Sequence, residues 1–192
     1  MRRRLSFWVA EILQRAKALW LAGSQRTWVK LVAIGWAGFV LAAGAAMLSP
    51  WRIGLDLQRL LGRPSCLPSL VYVIDYRVTR PPRIGDYVVF RFPDTGYKVG
   101  PRPGQKTIKL VMALPQDPIR IEGTELYVRL VHLDRLWLAK SIPGKDVGDF
   151  DANYLVPEGT FFAYGTERES FDSRYFGPVD QRLIIGYARP LF

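Results

Sequence analysis

The sequence predicts a mostly β protein, antiparallel and with coiled sheets, carried behind one membrane-crossing helix. Three observations carry that reading. An uncharged apolar run stands near the N-terminus, from Leu31 to Leu48. Beyond Trp51, β-branched and aromatic residues gather in short runs separated by proline and glycine clusters, the pattern of strands and turns. After Leu61 there is no long amphipathic helix and no repeat period. The 192 residues leave room for one domain of ordinary size plus an anchor, divided here as residues 1–50 and 51–192.

In chain order, the first segment places Trp8, Val9, Ile12, Leu13, Ala16, Leu19 and Trp20 at helical spacing, with Glu11, Gln14, Arg15 and Lys17 on other faces. That suits an amphipathic helix on a membrane surface, or a short helix packed on a partner. The run from Leu31 to Leu48 is long enough to span a bilayer core, and Trp28 and Trp51 mark its ends at headgroup level. Ala43-Gly44-Ala45 has the small-x-small form of a cleaved signal peptide, but about thirty residues precede the apolar run, too many for a secretory n-region. Arg2, Arg3, Arg4, Arg15, Lys17, Arg26 and Lys30 precede the span, and only Arg52, Arg59 and Arg63 follow closely. The positive-inside tendency therefore predicts a cytoplasmic N-terminus and an external domain. The formal charge of +10 comes from dispersed residues with no nucleic-acid-binding motif, so attraction to anionic lipid accounts for it.

Past the span, Asp56 to Leu61 suits a short helix or turn. The expected strands are Leu70 to Ile74, Tyr87 to Phe92, Lys109 to Leu114, Ile119 to Ile121, Leu126 to Val131, Leu136 to Ala139, Thr160 to Tyr164 and Leu183 to Ala188. One cysteine, Cys66, excludes an internal disulfide, and it has no neighbour that would make a metal site. It reads as a small buried hydrophobe. The one histidine, His132, excludes any two-histidine site and reads as structural. No metal or cofactor is expected.

Ser65 stands before a proline turn in Ser65-Cys66-Leu67-Pro68-Ser69-Leu70, and Lys109 is flanked by Ile108, Leu110, Val111 and Met112. A serine hydroxyl needs a base to become a nucleophile. A lysine can be that base when desolvation disfavours its charged form. Lys98, Lys106, Lys140 and Lys145 lie in polar or turn contexts, which leaves Lys109 as the candidate. Spacing alone favours Lys109 on the solvent side of an amphipathic strand over a catalytic role.

Four ordered blocks then resemble the signal peptidase I family of membrane-bound Ser/Lys proteases. Ser65 to Leu70 is similar to its S-M-x-P-T-L block, and Ile84-Gly85-Asp86-Tyr87-Val88-Val89-Phe90 to R-G-D-I-V-V-F. Ile108 to Asp117 is similar to I-K-R-V-I-G-L-P-G-D, and Ser170 to Val179 to S-x-D-S-R-Y-x-G-x-V. The resemblance implies Ser65 as nucleophile and Lys109 as general base. It implies that Ser170 orients the lysine and that Asp172 and Arg174 form a supporting ion pair. The Ser65 backbone N–H would be one oxyanion donor. The chain departs from the family where Arg63 replaces the serine whose hydroxyl completes the oxyanion hole. It departs again where Gln116 replaces glycine, and where Gly165-Thr166-Glu167-Arg168-Glu169-Ser170 is one residue shorter than the family's approach. These departures and the small size resemble the compact branch that matures pilin precursors in conjugative transfer.

The implied function is removal of leader peptides from an exported preprotein or propilin, through an acyl-enzyme resolved by water or by a substrate amine. Small residues before the cut would fit shallow pockets lined near Ser65 and the Tyr87 to Phe92 strand. The implied place is the bacterial inner membrane, single-pass, with conjugative pilus assembly components as partners. The alternatives are a housekeeping signal peptidase, a self-cleaving phage-type repressor, which lacks its DNA-binding module here, and a non-enzymatic membrane-anchored assembly subunit.

Overall fold

The computed structural model describes residues 2–56, 59, 61–62 and 65–191, and these divide into two units, Met1–Ser49 and Pro50–Phe192. The first unit is one helix, α1 (Arg2–Leu48). It contains no proline and is rich in alanine and leucine, which favour helix, and it ends just before Pro50, whose ring biases the preceding residue away from helical geometry. The stretch Arg26–Leu48 is long and apolar enough to cross a membrane, by length and composition. Its side chains, including Ile34, Trp36, Phe39 and Leu41, are exposed. The amphipathic face expected from Trp8, Val9, Ile12, Leu13, Ala16, Leu19 and Trp20 has its side chains outside the described residues.

The second unit is built of antiparallel strands. A seven-stranded sheet contains β1 (Trp51–Leu55), β2 (Val71–Asp75), β3 (Tyr87–Arg91), β4 (Lys106–Ala113), β9 (Thr160–Tyr164), β10 (Val179–Asp180) and β11 (Ile184–Pro190), in the order β1-β2-β11-β3-β4-β9-β10. A four-stranded sheet contains β5 (Pro118–Glu122), β6 (Glu125–Val128), β7 (Val131–Arg135) and β8 (Ala152–Leu155), in the order β7-β6-β5-β8. Strands β4 and β9 are neighbours in the larger sheet, so residues 118–155 leave it and return to it as one excursion. The two crossings are tied where Gln116 N–H donates to the Val156 carbonyl (2.9 Å) and Val156 N–H donates to that of Asp117 (3.0 Å). Gln116, standing at the family's glycine position, adopts φ 72°, a left-handed conformation that glycine takes without cost.

Two expected strands are corrected. The run Leu126 to Val131 breaks at Arg129 and Leu130, both left-handed, which turn the chain from β6 into β7 as a tight hairpin. The run Leu136 to Ala139 is turn, leading into a 3-10 turn at Ala139–Ser141, because it packs Leu136 and Ala139 into the core without a strand partner. Strands β1, β8 and β10 were not expected: β1 exposes most of its residues, β8 is four residues long with adjacent apolar Tyr154 and Leu155, and β10 is two residues long. Of Asp56 to Leu61, residues Leu57, Gln58 and Leu60 lie outside the described residues.

The core lies on both faces of β3. Val88 and Phe90 join the larger cluster with Val111, Phe161, Phe162 and Tyr175, while Val89 faces the smaller one with Leu67, Tyr72 and Ile74. On β4 the buried positions alternate as Lys109, Val111 and Ala113, so the lysine occupies a core-face position directly across from Val88.

Candidate active site

Lys109 is 0% exposed, which settles its orientation against the solvent-side alternative. Its Nζ donates to Ser170 Oγ at 2.6 Å, and among the described residues it has no other hydrogen bond and no ion pair. Ser170 Oγ in turn donates to Asp172 Oδ2 (2.8 Å), which also accepts from the Gly165 N–H (2.8 Å). Because the single hydroxyl hydrogen of Ser170 goes to a carboxylate, its oxygen meets Lys109 as an acceptor. The close approach requires glycine at 165: an added Cβ would stand 1.9 Å from Ser170 Oγ and 2.8 Å from the Cys66 carbonyl oxygen.

The one-turn helix α2 (Ser173–Phe176) holds the lower half of this network. Asp172 caps it by accepting from the Arg174 N–H, and the Arg174 side chain folds back to donate to both oxygens of Asp172, at 2.8 Å each. Both side chains are fully buried, so this is an interior ion pair rather than a surface bridge. Arg174 also donates to Asp134 (2.6 Å) and to the carbonyls of Gly165 and Ser170. Burial alone would lower the Arg174 guanidinium, but the Asp172 carboxylate more than reverses this and raises it above its ordinary value. Burial works against the Asp134 charge too, yet the Tyr164 hydroxyl, the Arg135 N–H, Trp137 and Arg174 together hold its carboxyl below the usual range. Tyr175, stacked on Phe171 at 5.7 Å between ring centres, is pushed up to about 12 by burial.

Ser65 belongs to a neighbouring set of contacts. It is nearly buried, and its hydroxyl donates to the Asp56 carboxylate and lies 3.0 Å from the Leu67 carbonyl oxygen. No hydrogen bond joins Ser65 to Lys109 among the described residues. The two sets meet at the Cys66 carbonyl, which accepts from Glu167 N–H (3.4 Å) and faces Gly165. Ser65, Glu167, Arg168 and Glu169 line an open cavity of about 310 Å³. Beside it a second groove, also about 310 Å³, is walled by Leu55, Asp56, Cys66, Leu67, Tyr72 and Ile108. Its walls come from β1, β2, β4, Asp56, residues 66–67, Pro101 and Gln105. A larger cleft of about 560 Å³ between Thr95–Lys98 and Ile142–Lys145 contains none of these side chains.

The structure thus brings Lys109, Ser170, Asp172 and Arg174 into one buried network and sets Ser65 alongside. Cys66 is half-buried and lines the groove. His132 lies on exposed β7 as a pair with Glu125 (2.8 Å). Arg63 lies outside the described residues. Among the described residues no group of histidine, cysteine, aspartate or glutamate is placed to hold a metal ion. Sequence reasoning missed Asp56, Asp134 and Gly165. Asp134 is 40 residues from Arg174 with no motif joining them, and Gly165 was read only as the start of the block leading to Ser170, without a role of its own.

A family model described as signal peptidase, peptidase S26, matches residues 27–192. The chain belongs to that family. Among relatives of this S26 chain, signal peptidase I V of Bacillus subtilis (strain 168) is 33% identical over 111 residues, 53% of this chain and 61% of the relative. The conjugal transfer protein TraF of Agrobacterium fabrum is 28% identical over 179 residues, 83% of this chain and 93% of the relative. The chain thus spans less than two thirds of the Bacillus relative and nearly all of the Agrobacterium one. A solved signal peptidase I from Enterococcus faecalis V583 is 26% identical, covering 56% of this chain and 97% of the other, with a TM-score of 0.35.

Proposed function

We propose that this S26 chain is a membrane-anchored serine endopeptidase that cuts leader peptides from exported precursors, with Ser65 as nucleophile and Lys109 as general base. The observation that carries the reading is the Lys109 amine, wholly out of water and held by a hydroxyl instead of a carboxylate. A neutral amine that donates one hydrogen to Ser170 keeps its lone pair for another partner.

In the mechanism, Lys109 takes the Ser65 hydroxyl proton as Ser65 Oγ attacks the scissile carbonyl. The Ser65 N–H stabilises the oxyanion. The protonated lysine gives that proton to the departing amine as the peptide bond breaks, leaving an ester on Ser65. Water, its proton drawn to Lys109, then attacks the ester, and Lys109 returns that proton to the departing Ser65 Oγ as the new C-terminus is released. The precursor would lie along the groove of Leu55, Leu67, Tyr72 and Ile108, with small residues before the cut. Residues Arg26–Leu48 would cross the bacterial inner membrane, with the cytoplasmic end marked by the arginines and lysines before it.

The substrate we favour is a propilin of a conjugative system, because the TraF relative matches over most of both chains. The Bacillus relative supports a housekeeping signal peptidase as the second reading. The test incubates the purified full chain in detergent with a propilin and with an unrelated preprotein. Ser65→Ala and Lys109→Ala should each lower cleavage on the order of 10⁴-fold or more. Cleavage by either variant at the parent rate would overturn the dyad, and no product from the parent would favour a scaffold. Equal cutting of both substrates would favour the housekeeping reading.

A further inference from the structure

Asp56 stands where neither the dyad nor its supporting network has a use for it. Its carboxylate accepts the Ser65 hydroxyl hydrogen, and it also accepts the Arg59 N–H at 3.2 Å in the manner of a helix cap. A serine hydroxyl has one hydrogen to donate. With the Leu67 carbonyl oxygen at 3.0 Å as the other acceptor, the charged one holds that hydrogen more strongly. While Asp56 has it, the hydrogen is not directed at Lys109, whose own contact is with Ser170. The contact therefore restrains the nucleophile.

Asp56 has a second placement that gives the restraint a trigger. It lines the same groove as Leu55, Cys66, Leu67 and Tyr72, where an extended precursor would run. We propose that Asp56 is a latch on Ser65, closed in the empty enzyme and opened when a peptide fills the groove and displaces the carboxylate, so that the hydroxyl turns to Lys109. The proposal rests on the dyad reading above. It adds that the empty enzyme is poorly reactive towards acyl compounds too small to occupy the groove.

The experiment compares two substrates on the full chain in detergent: p-nitrophenyl acetate, which is too small to fill the groove, and a leader-spanning peptide, which fills it. Asp56→Ser keeps a capping hydroxyl for Arg59 but is too short to hold Ser65. It should raise the ester acylation rate roughly tenfold, the scale of one lost hydrogen bond to a charged group, and raise peptide turnover by a smaller factor. Asp56→Asn keeps the shape while removing the charge and should move the ester-to-peptide ratio the same way, so a folding defect in one variant does not decide the matter. The gain must vanish when Lys109→Ala is added. An unchanged ratio in both variants, or a fall in ester rate alongside the peptide rate, would overturn the latch and leave the dyad standing. Ester and peptide turnover surviving in Ser65→Ala would instead remove the serine assignment beneath it.

Discussion

Ser170 has one hydrogen to give, and Asp172 takes it. The same oxygen therefore faces Lys109 only as an acceptor, which fixes how the amine points. Ser170→Ala should lower kcat roughly tenfold to a hundredfold, the worth of one strong hydrogen bond, while KM stays near the parent value. A fall in KM-weighted binding without a fall in kcat would show that Ser170 merely packs. At this scale the sequence was informative wherever side chains sit close in the chain. Ser170, Asp172 and Arg174 are within one short block, whereas the apolar neighbours of Lys109 left its orientation open until the fold buried it. Asp56 and Asp134 gave no such signal. Asp134 meets Arg174 across 40 residues and Asp56 meets Ser65 across nine, and nothing in local composition distinguishes them from ordinary surface aspartates.

The elements that matter most are β4, which delivers the lysine, and α2, which delivers its surroundings. One turn of helix cannot be stable by its own hydrogen bonds. α2 is held instead by the fork of Arg174 on Asp172 and by Tyr175, whose hydroxyl accepts the Leu138 N–H (2.9 Å). Arg174→Met would strand two carboxylates, one fully buried, and should cost about 3–5 kcal/mol in chemical denaturation. Arg174→Lys keeps the charge but loses the planar fork and should recover only part of this. The exposed Arg182–Asp180 pair is the control, and Arg182→Met should leave the denaturation midpoint unmoved. Strands of this domain were legible where core side chains cover both faces, as in β3, because they read as unbroken apolar runs. Edge strands were not legible. β1 and β10 borrow their shape from a neighbour, so tertiary pairing decides them.

Across the whole molecule, acidic groups fixed in ion pairs set the response to pH. Arg80 hydrogen-bonds Asp86 and, against some burial, holds its carboxyl below the usual range, as the partners of Asp134 do for that residue. Both folded values lie under the unfolded ones. The stability they confer is thus complete above about pH 4 and drains away as pH falls through the folded values. Thermal unfolding of the detergent-solubilised chain should show a midpoint that is flat near neutrality and drops below about pH 4, with Asp86→Asn removing part of that slope. A midpoint independent of pH down to 2 would contradict this.

The excursion of residues 118–155 has a further consequence for the site. It carries Asp134, whose grip on Arg174 completes the surroundings of the lysine. Loss of that excursion would leave Arg174 with Asp172 as its carboxylate partner among the described residues, while the contact of Lys109 with Ser170 lies outside it.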